Sequence, residues 1–270
     1  LCERAGVVNI AIEGMMLTAA MVSALIGSIA HSVWVGLLSG IAVGAFMALI
    51  HGVLSIKYKT NQIISGTVIN ILATGLTSYI SAKFLQVYEE LNNPGIFKPW
   101  PIPGLSDIPI IGEIFFNNNI FVYGMFVFLI VLQIALFQTK WGLRVRSVGE
   151  HPKAADTLGI NVFKTRYMSV LLGGMMAGFA GAYFTVGSSG RFDEVMTAGR
   201  GFIGLAAMIF GNWTPFGSFG AGLIFGFADS IATRVAILGI PIPSEFLLMA
   251  PYVATMIVLA GVIGKGQVPA

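Results

Sequence analysis

Apolar residues run along this chain in long blocks separated by short polar breaks. The blocks cover Ile10 to Ala30, Val33 to Ile56, Ile63 to Leu85, Ile120 to Phe137, Tyr167 to Val186, Phe216 to Leu238 and Phe246 to Ile263. Crossing a bilayer's hydrocarbon core takes roughly 20 apolar residues in a helix. Seven blocks meet that need in whole or in large part. An eighth, Gly201 to Gly211, is half as long and precedes Asn212-Trp213-Thr214-Pro215. It predicts either a short tilted span or a broken, re-entrant helix, whose freed backbone groups survive only where protein or a cavity partners them. The fold expected is all-α: one polytopic transmembrane helix bundle over residues 1–270, with about seven spans plus the half-length segment.

Two breaks are long. Residues 86–119 carry Pro94, Pro99, Pro101, Pro103 and Pro109 among Asn and Gly, with Tyr88 and Trp100. Proline at that density forbids continuous helix, and the aromatics suit a headgroup layer, so an ordered cap is expected. Residues 139–166 are basic, with Lys140, Arg144, Arg146, Lys153, Lys164 and Arg166. Short loops rich in Lys and Arg stay in the cytoplasm. Alternation then places Lys57 and Lys59 inside and, with the half-length segment counted as a crossing, Lys265 too. Residues 86–119 and 187–200 fall outside.

Composition agrees. Of the residues, 56% are hydrophobic and 10% charged, against about 25% charged in soluble domains. Lipid is therefore the expected solvent for much of the surface. The 34 glycines suit close helix packing in a membrane. A single cysteine, Cys2, allows no intrachain disulfide. The net charge of +3 shows no basic cluster apart from the membrane flanks, so nucleic acid is not an expected partner, while membrane lipid is. The chain begins at Leu1, and a preceding segment is expected. No metal-ligand motif stands out, and no Gly-x4-Gly-Lys-[Ser/Thr] phosphate loop is present.

Within the apolar blocks, polar side chains are costly and mark structural or functional positions. Glu13 follows Asn9 by four residues, which puts both on one face if the stretch is helical. They read either as pathway-lining groups or as hydrogen-bonding groups that fix the start of the first span. Thr67, Asn70 and Thr74 form a polar stripe that serves neighbouring helices or a passing polar ligand. Asp229 lies mid-span, with Arg234 five residues on, as a charged pair or a pathway group. His51, near the inner end of its span, reads as structural. In the basic loop, Pro152 suits a first helical turn, Lys153 to Leu158 predict a short helix, and Gly159 suits its left-handed stop.

That loop also carries a resemblance. Ala154-Ala155-Asp156-Thr157-Leu158-Gly159 is similar to the Ala-Ala-x-x-x-Gly loop of ABC importer permeases. Val148-Gly149-Glu150 with Gly159-Ile160-Asn161-Val162, Ala177 to Ala182, and the string GVVNIAIEGMML from Gly6 to Leu17 resemble the permeases for branched-chain amino acids, simple sugars and nucleosides. Glu3 to Ile10 with Glu13 to Leu17 looks most like the nucleoside importers that work with a basic-membrane-protein type lipoprotein. The longer Gly-x9-Ile-x-Leu-Pro tail of other ABC permeases is absent after Gly159. The resemblance implies a non-enzymatic subunit of a bacterial inner-membrane importer, working by alternating access. It implies no cofactor of its own, ATP being bound by a separate ATPase. It implies a second permease, identical or related, and a lipoprotein or periplasmic receptor. Glu150, His151, Pro152, Lys153 and Ala154 to Gly159 would then couple to the ATPase. Asn9, Glu13, Thr67, Asn70, Thr74, Phe225 and Asp229 would line the pathway, with Phe225 and Phe227 able to stack on a base. The competing expectation is an ion-driven secondary transporter that uses Glu13 or Asp229. An intramembrane enzyme finds no HExxH, paired-aspartate or serine/histidine motif to rest on.

Overall fold

A computed structural model describes residues 1–104, 106–108, 112–238 and 249. The block predicted over Phe246 to Ile263, Met249 aside, lies outside the described residues, as do Lys265 and Pro109. The described chain is predominantly helical. In order come α1 (Ile12–Ile29), α2 (Val33–Gly52), α3 (Gln62–Ile80), α4 (Ile120–Gln138), α5 (Lys140–Glu150), α6 (Pro152–Thr157), α7 (Val162–Ala182), α8 (Arg200–Phe210) and α9 (Pro215–Ile237). Wider π-helical turns extend α2 to Lys57, α3 to Leu85 and α7 to Ser189. Among the described residues, five helices are long and apolar enough to cross a membrane: α1, α2, α3, α4 and α7 with their extensions. The half-length segment is α8, whose 11 residues span about 16 Å at 1.5 Å per residue, half the hydrocarbon core. The chain divides into two compact units, Leu1–Gly201 and a second that starts at Phe202.

Several helices start where a side chain receives the free N–H groups of a first turn. Asn61 accepts from Ile63 and Ile64, Asn119 from Phe121 and Val122, Thr139 from Gly142, and Asn161 from Lys164. In the first unit α1, α2 and α7 pack on one another, and glycine sets their spacing. A Cβ on Gly44 of α2 would lie 2.6 Å from the Cα of Gly178 of α7 and 2.8 Å from its nitrogen. Backbone here touches backbone, as membrane helices rich in small residues allow.

The described residues of 86–119 are held by specific contacts. Asn92 and Phe192 exchange hydrogen bonds: the Phe192 N–H donates to Oδ1 at 2.7 Å, and Nδ2 donates to the Phe192 carbonyl at 3.0 Å. Phe97 stacks edge-on against Trp34 and Phe121. Trp100–Pro101 and Asn117–Asn118 pair as a minimal antiparallel ribbon.

The basic loop is more helical than expected. Its first part, for which no element was predicted, is α5, and the physical reason is visible in its faces. Gly142, Val145, Val148 and Gly149 are buried, while Leu143, Arg144 and Glu150 face outward. In the second unit, Phe210 meets Phe225 edge-on at 5.7 Å, and the Thr214 hydroxyl accepts the Gly217 N–H at the start of α9.

Candidate functional site

The first helix starts at Ile12, not at Ile10, so Asn9 is not on the helical face of Glu13. Residues 6–11 are irregular, yet Val7, Asn9 and Ala11 are buried. Backbone groups in this irregular stretch lack helical partners and need others. Side chains from two other helices supply them. The Val8 N–H donates to Oε1 of Gln62 at 2.6 Å. His51 Nε2 lies 3.0 Å from the Val8 carbonyl, and Nδ1 lies 3.1 Å from Ser65 Oγ. A carbonyl only accepts, so Nε2 carries the proton, and Nδ1 of the neutral ring accepts from the serine hydroxyl.

Asn70 completes the set. Its Nδ2 donates to the Ile10 carbonyl at 3.0 Å, and its Oδ1 accepts the Gly14 N–H at 2.8 Å. Gly14 is required there, because a Cβ would fall 2.9 Å from that same oxygen. Asn70 follows Gln62 by eight residues, about 12 Å of helical rise. The irregular segment therefore runs beside the first part of α3, well in from its end.

Asn9 is enclosed and serves its own turn, with Oδ1 accepting the Ala11 N–H at 3.1 Å. Its Nδ2 lies 3.8 Å from Cys2 Sγ and 3.7 Å from Met15 Sδ. Burial raises the Cys2 thiol above its ordinary range; it remains a small apolar filler donating weakly to the Ser169 carbonyl.

The Glu13 carboxylate accepts three hydrogen bonds from one short stretch. Thr197 Oγ1 donates to Oε1 at 2.6 Å, the Gly199 N–H to Oε1 at 2.9 Å, and the Gly201 N–H to Oε2 at 2.7 Å. Gly199 and Gly201 bracket the first residue of α8, so a distant carboxylate partners the free amides of that helix start, where negative charge is favoured. All three donors are spent on acceptor-only oxygens, the role of an ionised carboxylate.

The other anticipated pathway residues are placed differently. Thr67 and Thr74 lie on an exposed face of α3, and their hydroxyls donate back to Ile63 and Asn70 carbonyls of their own helix. Phe225 is buried against Phe210 within the second unit, where Asp229 is half-buried.

In the basic loop, His151 precedes α6, which begins at Pro152 and runs through Lys153, Ala154, Ala155 and Asp156 to Thr157. Gly159 follows at φ +78°. The Gly159 N–H donates to the Asp156 carbonyl at 2.9 Å, and the Ile160 N–H to Ala155 at 3.1 Å. This paired closure is a Schellman stop. Leu158, at its tip, is 81% exposed, and Glu150 is also exposed. Next to α6 in sequence, α5 packs on the 3₁₀ turn Glu3–Ala5. Arg166 of α7 donates to the Ala5 carbonyl at 3.1 Å.

Sequence reasoning did not find Gln62, Ser65, Thr197, Gly199 or Gly201 as partners. A carboxylate inside an apolar block signals that donors must exist, but which residues supply them is set by tertiary contacts 184 to 188 positions away.

An apolar multi-span helix bundle with buried irregular segments is the frame of a membrane transport protein, and comparison with known proteins agrees. Residues 1–263 match the family described as the branched-chain amino acid transport system / permease component. The chain belongs to that family. It is 41% identical to the guanosine ABC transporter permease protein NupQ of Bacillus subtilis, over 99% of this chain and 86% of that one. It is equally 41% identical to the nucleoside ABC transporter permease protein NupC of Lactococcus lactis, over 99% and 87%. A putative glucose ABC transporter permease of Haloferax volcanii is 37% identical over 86% of this chain and 70% of its own. No solved structure matches the chain.

Proposed function

We propose that this chain is a membrane-spanning subunit of an ABC importer, and that its cargo is a nucleoside. The observation that carries this reading is the 41% identity, across 99% of the chain, to two permeases named for guanosine and for nucleosides. The more distant glucose permease is consistent with an uncharged, hydroxyl-rich solute. The chain itself needs no cofactor in this reading. A separate ATPase binds and hydrolyses ATP, a second permease subunit completes the pathway, and a receptor delivers the nucleoside.

The basic loop supports an ATPase-facing role. A short, firmly stopped helix presents exposed Leu158 beside exposed Lys153 and Asp156, an apolar knob in a polar rim. The loop then lies in the cytoplasm, and residues 86–119 lie on the outer face of a bacterial inner membrane, where the receptor docks; the segment 188–200 expected beside them turns inward by Thr197 and Gly199, which meet Glu13 in the first turn of α1. ATP closes the ATPase dimer and moves α6, and the attached spans exchange an outward-open for an inward-open pathway. Only a difference in contacts between these states shifts their balance. The exposed Thr67–Thr74 face of α3 offers the uncharged lining such cargo requires. An ion-driven mechanism through Glu13 is disfavoured, because hydrogen bonds from the protein already engage both carboxylate oxygens.

The test is uptake of radiolabelled nucleosides by proteoliposomes that hold the whole complex. Gly159→Pro with Asp156→Arg removes the positive-φ stop and reverses a charge on α6. Receptor-stimulated ATPase and uptake should both collapse while the complex still assembles. Uptake that persists without ATP and follows an imposed proton or sodium gradient would sink the reading.

A further inference from the structure

Two observations at opposite ends of the N-terminal segment belong together. At one end, the turn Glu3–Ala5 lies against the ATPase-facing loop. A Cβ on Gly149 of α5 would collide with the Arg4 carbonyl and fall 3.3 Å from the Gly6 nitrogen. Backbone here rests on backbone, with no flexible side chain between. Arg166, four residues into α7, ties the same turn through the Ala5 carbonyl.

At the other end, Glu13 holds Thr197, Gly199 and Gly201. A Cβ on Gly201 would fall 2.7 Å from the Glu13 Cα, so this contact is also backbone-close. The stretch Glu13 grips is strained. Val195 and Ala198 adopt φ of +55° and +46°, which costs a branched residue dearly, and such strain persists only where neighbours hold it. Between the two ends, Val7, Asn9 and Ala11 are buried and the Val8 and Ile10 backbone is cross-tied by Gln62, His51 and Asn70, which limits slack.

We propose that residues 3–13 are a mechanical link that transmits movement of the α5–α6 loop to the start of α8, with Glu13 as the positioning residue at its far end. The link rests on the importer reading and adds a route within the subunit. Gly149 is its input contact and the Glu13 carboxylate its output contact. Releasing Glu13 frees the strained turn 195–199 and lets the start of α8 shift. The state of the loop and the state of that helix start are thereby tied.

The assay is nucleoside uptake per ATP hydrolysed by the complete complex in proteoliposomes. Glu13→Gln preserves size but replaces one acceptor oxygen by an NH2 facing donors. Its uptake per ATP should fall about tenfold or more, the effect of one lost charge-assisted hydrogen bond, while ATP hydrolysis continues. Gly149→Ala should do the same by wedging α5 off the turn. The double variant should be no worse than the poorer single, because both break one link. Multiplying effects would show independent contacts and overturn the proposal, as would unchanged uptake per ATP in Glu13→Gln.

A second measurement guards against misfolded variants. Amide exchange across residues 196–203 should differ between nucleotide-free and ATP-trapped wild-type complex, and Gly149→Ala should abolish the difference. Exchange that is blind to nucleotide in the wild type overturns the link even where uptake is ATP-driven. Wild-type uptake that ignores ATP overturns the importer reading itself, and the link with it.

Discussion

Helices α1 and α4 are both spans by length and apolarity, yet they differ in what surrounds them. Of the apolar stretch of α1, 67% is buried in the protein, against 11% for α4. The more buried helix is also the less hydrophobic. α1 is rich in Gly, Ala, Ser, Thr and Met, whereas α4 is dominated by Ile, Val, Leu and Phe. In water the order would be reversed. Lipid is already an apolar solvent, so burying Leu gains little, and the interior is chosen for close fit and hydrogen bonding. Polar and small residues mark the working centre of this molecule, and the oiliest helix marks its edge.

Substitutions can break that contrast. The largest effect is expected at Gly44, where a backbone–backbone contact has no room. Gly44→Leu should prevent folding, read as loss of a monodisperse complex on size exclusion. Survival with an unchanged melting temperature would mean that α2 and α7 do not pack as described. Next comes Asn70→Leu, which strands the Ile10 carbonyl and the Gly14 N–H. Each unpaired buried group costs about 1–3 kcal/mol, so a clear fall in melting temperature is expected. Asn70→Asp, which keeps the acceptor but not the donor, should fall between. The smallest effect belongs to α4. Ile130→Leu, on an exposed face, should stay within about 0.5 kcal/mol of the native protein. A loss comparable to that of Asn70→Leu would mean that this face is covered by a partner.

The sequence announces the parts dictated by the solvent or by local geometry. With their extensions counted, the apolar blocks place α1, α2, α3 and α4 to within two residues and α7 to within five, because the bilayer demands about 20 apolar positions. Pro152 and Gly159 mark α6, because each has a backbone preference few residues share. By contrast, α5 is hidden by its charge. Trp141, Val145 and Val148 recur at helical spacing, but Lys140, Arg144 and Arg146 make the stretch look like solvated loop. The break before Ile12 is hidden for another reason. Asn9 and Glu13 suggest a helical pair, and only the partners on α2 and α3 make an unwound backbone tolerable there. The role of Glu13 as a carboxylate for the start of α8 depends on residues nearly 190 positions downstream.

That dependence bears on how the protein is made. The turn at Ala5 awaits Arg166, 161 residues later, and Glu13 awaits Gly201. At roughly 5–20 residues per second of synthesis, these backbone and carboxylate groups spend about 10–40 s without their native partners. This segment is thus translated well before the partners that settle it. Until α7 and the start of α8 have emerged, the Ala5 carbonyl and the Glu13 carboxylate need other partners, such as water.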